Sequence, residues 1–225
     1  MAKMVWDQIG ERLYETGVEQ VALFVMNNGT YDTGVAWNGI TAVNENPSGA
    51  EVTKLYANDS VYLNMMSVEE LALAIEAYTY PDEFAECDGS VELAPGVYAG
   101  QQNRKHFGLV YKTLVGNDEL STDYGYKLHI VYDCLASPSE KGHATVNDSP
   151  EATTMSWDAN TTPITIPGAI RKAAGFDIDS TKVDKTKLAT LEGIIYGGES
   201  AEPTMPTPQQ VIDTLKNTTG VTGNT

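Results

Sequence analysis

The sequence predicts a mainly β domain, a sandwich or barrel carrying one flanking α-helix. Three observations lead there: short apolar segments of alternating pattern recur along the chain, turn residues separate them, and the one strong helical stretch lies near the C-terminal end. With 225 residues, 41% of them hydrophobic, the chain can bury a full core, and nothing in it forces a second domain.

Val18, Val21, Leu23 and Val25 suggest a strand after a turn at Gly17, with Leu13 and Tyr14 as a short strand before it, so a first hairpin is expected. Residues 27–49 are rich in turn chemistry (Asn27-Asn28-Gly29, Gly34, Asn38-Gly39, Pro47-Ser48-Gly49) and read as a long loop with short apolar pieces at 35–37 and 40–43. A second hairpin is signalled across 51–66, where EVTKLYA and VYLNMM flank Asn58-Asp59-Ser60. Residues 70–88 carry two periods. Leu71, Leu73, Ile75 and Ala77 alternate as a strand would, while Ser67 and Glu70 have capping-box spacing ahead of good helix formers.

The clearest hairpin pairs 107–115 (FGLVYKTLV) with 126–135 (YKLHIVYDCL) across a loop, GNDELSTDYG, that holds Asp118, Glu119 and Asp123. Residues 153–159 and 161–166 read as a strand pair, and 176–178 as a short strand. The helix is placed at 184–196 (DKTKLATLEGIIY), with Leu188, Leu191, Ile194 and Ile195 on one face and Gly197-Gly198 as its stop. The first 200 residues thus form the main domain. Pro203, Pro206 and Pro208 mark a linker, 209–216 a last short helix, and 217–225 a mobile polar tail.

Fourteen basic residues against 31 acidic give a net charge of −17, which opposes a nucleic-acid or anionic-membrane surface, since both need clustered Lys and Arg. No apolar run is long enough to span a membrane and no secretion signal opens the chain, so synthesis in a cytosol is expected. Cys87 and Cys134 read as two reduced, partly buried thiols. Sequons at Asn28, Asn58, Asn147, Asn160 and Asn217 have no meaning without secretion.

Motifs with possible chemistry read as structural. Asp32-Thr33-Gly34 spells the aspartic-protease triplet, yet it stands in a polar turn rather than at an apolar strand end. Asp177 and Asp179 have the spacing of a two-carboxylate cation site on one strand face, but no phosphate-cradling glycine loop accompanies them. Asp82, Glu83, Glu86 and Asp88 lack the calcium-loop register and read as a polar turn. His106, His129 and His143 are too scattered for metal-ligand spacing, and no serine elbow or cysteine-protease signature occurs. No catalytic residue, cofactor or metal is expected.

Several phrases together resemble the major tail tube proteins of long, flexible-tailed bacteriophages. They are GERLYETG (10–17), GVAWNGITAVNENPSGAE (34–51), LYANDSVYLN (55–64), IEAYTYPDEFAECDGS (75–90), GNDELSTDYGYKLHIVY (116–132), ASPSEK (136–141), VNDSPEA (146–152) and IDSTKVD (178–184). The likeness covers about residues 1–200 in order and departs at AIRKAAG (169–175), where an extended Thr- and Val-rich segment is expected. It implies a β-sandwich with a flanking helix, assembled six to a ring, with rings stacked into the hollow tube of a virion tail. Sheets of neighbouring subunits would join into an inner barrel, and loops within about 27–60 would reach adjacent subunits and rings.

On that resemblance 71–80 becomes a strand, 81–87 a turn or short helical piece, and Glu70, Glu76, Tyr78 and Tyr80 share one face. Glu70, Glu76, Asp118, Glu119 and Asp123 become candidates for the acidic lumen wall. Tyr31, Trp37, Asn38, Tyr56 and Tyr62 become candidates for inter-subunit loop contacts. Six copies would carry roughly −100 charges per ring, a wall from which phosphates are repelled, so DNA passes without specific binding. The implied partners are further copies of the chain, a tape-measure protein, a tail terminator and a baseplate initiator. A tube of a related secretion machine is a variant of this reading. The alternative is a monomeric sandwich that binds carbohydrate or a receptor through Tyr78, Tyr80, Tyr98 and Tyr124.

Overall fold

The computed structural model describes residues 3–143, 145, 152–199 and 201–216. Its elements in chain order are β1 (Tyr14–Asn27), β2 (Thr30–Tyr31), β3 (Val35–Ala36), β4 (Ile40–Gly49), β5 (Val52–Ala57), β6 (Ser60–Met66) and β7 (Glu69–Ala77). There follow α1 (Phe84–Cys87), β8 (Val91–Ala94), β9 (Val97–Ala99), β10 (Phe107–Asn117), β11 (Ser121–Ala136), β12 (Met155–Thr161), β13 (Gly175–Asp179), α2 (Lys185–Tyr196) and α3 (Pro208–Leu215). The chain is mainly β, as expected.

One large antiparallel sheet runs β2-β1-β10-β11-β12-β7-β4, with β3 beside β1 and β13 beside β11. The sheet forks along β11. Lys127 to Val131 pair with β13, whereas Cys134 to Ala136 pair with β12, and between them Asp133 takes a left-handed φ of 50°. That break redirects the strand, so the β12-β7-β4 section folds back over β1-β10-β11 and shares a core with it.

Strand alternation supplies two cores. Leu23, Val25, Phe107, Leu109, Tyr111 and Val131 point from β1, β10 and β11 toward Leu73, Ile75, Ala77, Trp157 and Ala159 of the folded-back section. An aromatic cluster fills the middle. Trp157 lies 5.3 Å from Phe84, 5.6 Å from Trp37 and 5.6 Å from Tyr80 between ring centroids, all edge-on. The alternate residues Ala22, Phe24, Val110, Leu128, Ile130 and Tyr132 face the other way, onto Leu188, Leu191 and Ile195 of α2 and Val211 of α3. The Asp184 side chain caps α2 by accepting from the Thr186 and Lys187 amides, and Thr207 with Gln210 forms a capping box on α3. Both thiols are free and buried, and burial pushes Cys87 up to about 12.

Several expectations are corrected. Gly17 does not turn the chain: β1 is continuous, and Gly17, at φ 68°, marks a bulge between Thr16 and Val18 while both flanks stay paired to β10. Leu13 lies outside that strand. Residues 27–49 are not one long loop. Asn28 and Gly29 make a tight turn with φ of 50° and 82°, and β4 is a full strand because β7 supplies its partner. The loop between β10 and β11 shrinks to Asp118–Leu120. Residues 153–159 pair with β7 and β11 rather than with 161–166, from which only an isolated bridge of Ile164 to Ala173 arises.

The proline stretch is docked rather than a free linker: Met205 is buried, Tyr132 donates to the Pro206 carbonyl at 2.9 Å, and Gly34 donates to the Pro203 carbonyl at 3.0 Å. Across the 169–175 departure, Ala173 bridges Ile164, Ala174 is buried and Gly175 opens β13. The tail at 217–225 lies outside the described residues, as do most of VNDSPEA and the sequons at Asn147 and Asn217.

Phe84 joins the short α1 to both halves of the sheet, so truncating it opens a cavity that no single strand can fill. Phe84→Ala is expected to lower unfolding free energy by about 3–5 kcal/mol, read from urea denaturation. A loss under 1 kcal/mol would show that α1 is not part of the core.

Candidate assembly surface

The segment between the edge strand β4 and its neighbour β7 leaves the body of the molecule. β4 and β7 pair in register down to Gly49 with Glu69, where Gly49 and Ala50 take φ of 81° and 51°. Beyond that bend β5 and β6 continue as a two-stranded ribbon from Val52–Met66 to Ala57–Ser60, and the Asn58-Asp59 tip has φ of 50° and 60°. This bears out the second hairpin. Six residues of β5 reach about 20 Å. The ribbon pairs with no other strand among the described residues, and every residue from Glu51 to Glu70 is exposed.

Its composition is unusual for an exposed ribbon. Leu55, Tyr56, Tyr62, Leu63, Met65 and Met66 are all exposed, Tyr56 at 69% and Tyr62 at 76%. A lone two-stranded hairpin is marginal in water, and an apolar patch of this kind marks an interaction surface.

Beside the arm, the β12-β7-β4 section turns its second face away from the core. Register places Asn44, Ala74 and Asp158 in one row, Asn46, Ala72 and Asn160 in the next, with Glu76 beside Ser156 and Glu70 beside Ser48. The face therefore carries Glu70, Glu76 and Asp158 among small and amide side chains, and no Lys or Arg. No strand pairs with the outer edge of β4 among the described residues. Pro47, which lacks an N–H, is tolerated in β4 because that strand is an edge.

The remaining candidates divide. Asn38 is exposed at the Gly39 turn, and Tyr56 and Tyr62 lie on the arm. Trp37 is instead a core residue, its indole donating to the Thr79 carbonyl at 2.9 Å. Tyr31 is half-buried on the helix side, where its hydroxyl accepts from the Asp133 amide at 3.0 Å. Trp37 thus fills a gap in its own chain, and the Tyr31 hydroxyl is engaged within it. Glu70 and Glu76 do share a face, but Tyr78 and Tyr80 fall beyond the end of β7, and Tyr80 turns into the aromatic cluster. Asp118 accepts from the Gly10 amide at 3.0 Å and faces Arg12, Glu119 sits over Gly10, and Asp123 is exposed on β11. These three belong to the β10–β11 end, apart from the β7 carboxylates.

The other motifs take structural roles. In the Asp32 triplet, Gly34 is required because a Cβ there would meet the Phe24 ring at 2.4 Å. Asp88 is buried and pairs with Arg104 and Lys141, which ties the turn after Pro81 to later chain. Asp177 and Asp179 share a face, and a hydrogen bond from the buried His129 ring holds the Asp177 carboxyl below its usual range. Sequence reasoning missed Asn44, Asn46 and Asp158 on the polar face. The alternation of β4 could have found the first two, but its Asn, Pro, Ser and Gly content resembles a loop. Among the described residues no helix is long and apolar enough to cross a membrane. Neither a protein-family model nor a curated protein matches the chain.

Among the described residues the strands of the arm pair only with each other and are exposed throughout, so replacing residues 51–67 with a short turn is expected to leave the melting temperature of the isolated subunit within about 3 °C. A drop of about 10 °C by circular dichroism would show that the arm supports the core.

Proposed function

We propose that this chain is a structural subunit of a phage-type tail tube, polymerising through ring formation and ring stacking into a conduit for DNA. The observation that carries the reading is the combination, on one sheet section, of an open edge strand, a small acidic face without cations, and an apolar arm rooted in the same strands. Pairing the outer edge of β4 with a neighbouring subunit satisfies backbone groups that a monomer leaves to water. Repeated around six subunits, such pairing closes a barrel with no edges.

The polar face then lines the bore. Glu70, Glu76 and Asp158 repel phosphates, and small residues keep the wall smooth, so DNA slides without the salt-dependent affinity that Lys and Arg would add. The arm carries Tyr56, Tyr62 and their apolar neighbours onto an adjacent subunit, where burial supplies the driving force for assembly. The tape-measure protein, terminator and initiator are the further partners this role requires, and the virion tail its location. The carbohydrate-binding alternative is less well supported, because Tyr80 packs inward and Tyr124 is half-buried.

Negative-stain microscopy with sedimentation over a range of concentrations tests the reading. Rings or tubes with six-fold end views are expected from the unaltered chain, and a Tyr56→Asp, Tyr62→Asp double variant should stay monomeric with an unchanged circular dichroism spectrum. Tubes formed equally well by the double variant, or an unaltered chain that stays monomeric even when seeded with tube fragments, would overturn it.

A further inference from the structure

On the core-facing side of β4, strands distant in sequence bring three metal-ligating side chains together. Glu45 of β4, His129 of β11 and Asp177 of β13 present one ligand atom each, all within 4.8 Å of one another. The His129 Nδ1 lies 2.7 Å from Asp177 Oδ1 and 3.5 Å from Glu45 Oε1. They line a cavity that opens to solvent between β4 and β13.

Hydrogen bonds orient the His129 ring within this cluster. Glu15 is paired with Lys127, so its carboxylate accepts only, and the Thr113 hydroxyl donates to it at 2.6 Å. Thr113 Oγ1, 2.9 Å from His129 Nε2, must therefore accept from Nε2–H. Nδ1 is then the ring nitrogen turned toward the carboxylate oxygens of Asp177 and Glu45. The two lysines lining the cavity are engaged outside the cluster, Lys127 with Glu15 and Lys182 with Asp179 at 3.0 Å.

We propose that Glu45, His129 and Asp177 form a binding site for one divalent cation of the zinc class. One imidazole nitrogen with two carboxylate oxygens suits such a borderline ion, and water from the cavity completes a tetrahedron. The outer shell matches that role. Thr113 holds the non-ligating nitrogen as its protonated form, the Tyr111 ring stacks on the imidazole at 4.6 Å and 12°, and the Tyr111 hydroxyl donates to Glu45. Ligands about 2.0–2.2 Å from zinc sit roughly 3.3 Å apart, so binding moves Asp177 outward from its 2.7 Å contact with His129. Its side chain is 70% exposed and free to do so. A cation here ties the edge strand β4 to β13, with which it shares no backbone pairing.

The test uses tag-free, chelator-dialysed full-length protein titrated with Zn²⁺ by calorimetry and with Co²⁺ by visible absorption. Expected are one ion per chain, a tetrahedral Co²⁺ spectrum, and a rise in melting temperature on adding Zn²⁺. Glu45→Gln with Asp177→Asn, both at exposed positions, should weaken binding at least about 100-fold, and Thr113→Val by roughly 10–100-fold. Absence of the Co²⁺ spectrum in the unaltered protein overturns the site without reference to any variant. So does binding that the double variant leaves unchanged, or a His129 ring doubly protonated in ¹⁵N spectra and insensitive to Zn²⁺, the mark of an imidazolium filling the same gap.

Discussion

Burial of β1, β10 and β11 on both faces is the constraint on which the rest of the molecule depends. Each of these strands sends alternate side chains into different cores, one closed by the folded-back sheet section and one by α2 and α3. A strand covered on both sides reads as a near-continuous apolar run, as VALFV and FGLVY do here. With the centre enclosed in this way, the peripheral strands β4, β7 and β12 need only one apolar face. Their other face is free to be small and acidic.

The same division explains the arm. β4 and β7 are anchored by Val43, Leu73 and Ile75 at the core end, and the ribbon they extend into has no such anchor. Its strands are held by mutual hydrogen bonds and by register inherited from the anchored base. Exposed apolar residues on such a ribbon gain free energy only when another surface covers them, which couples the ordering of the arm to association. In a tube, the open edge of β4, the polar face and the arm would all be satisfied by one event.

Much of this was legible from local pattern. Alternation found the β10–β11 hairpin and the β5–β6 ribbon, and the Leu188, Leu191, Ile194 and Ile195 stripe with its Gly197-Gly198 stop found α2. Legibility failed where one local signal serves two geometries. Gly17 supplies a positive φ that a turn and a bulge use alike, and only pairing with β10 decides between them. The Asn-, Pro- and Gly-rich β4 resembles a loop until β7 is beside it, and the helix-forming composition of β7 yields to partners on both sides. The Glu45, His129 and Asp177 cluster left no trace in spacing, because the fork in β11 brings those strands together.

The central claim is that association uses the β4 edge and the arm. Hydrogen exchange with mass spectrometry, run on the isolated subunit and on the assembled form, measures this peptide by peptide. The account predicts that amides of residues 40–68 exchange quickly in the subunit and gain protection of at least about 100-fold on assembly, while β10 and β11 are protected in both. Assembly that leaves 40–68 open and protects the α2–α3 surface instead would contradict it.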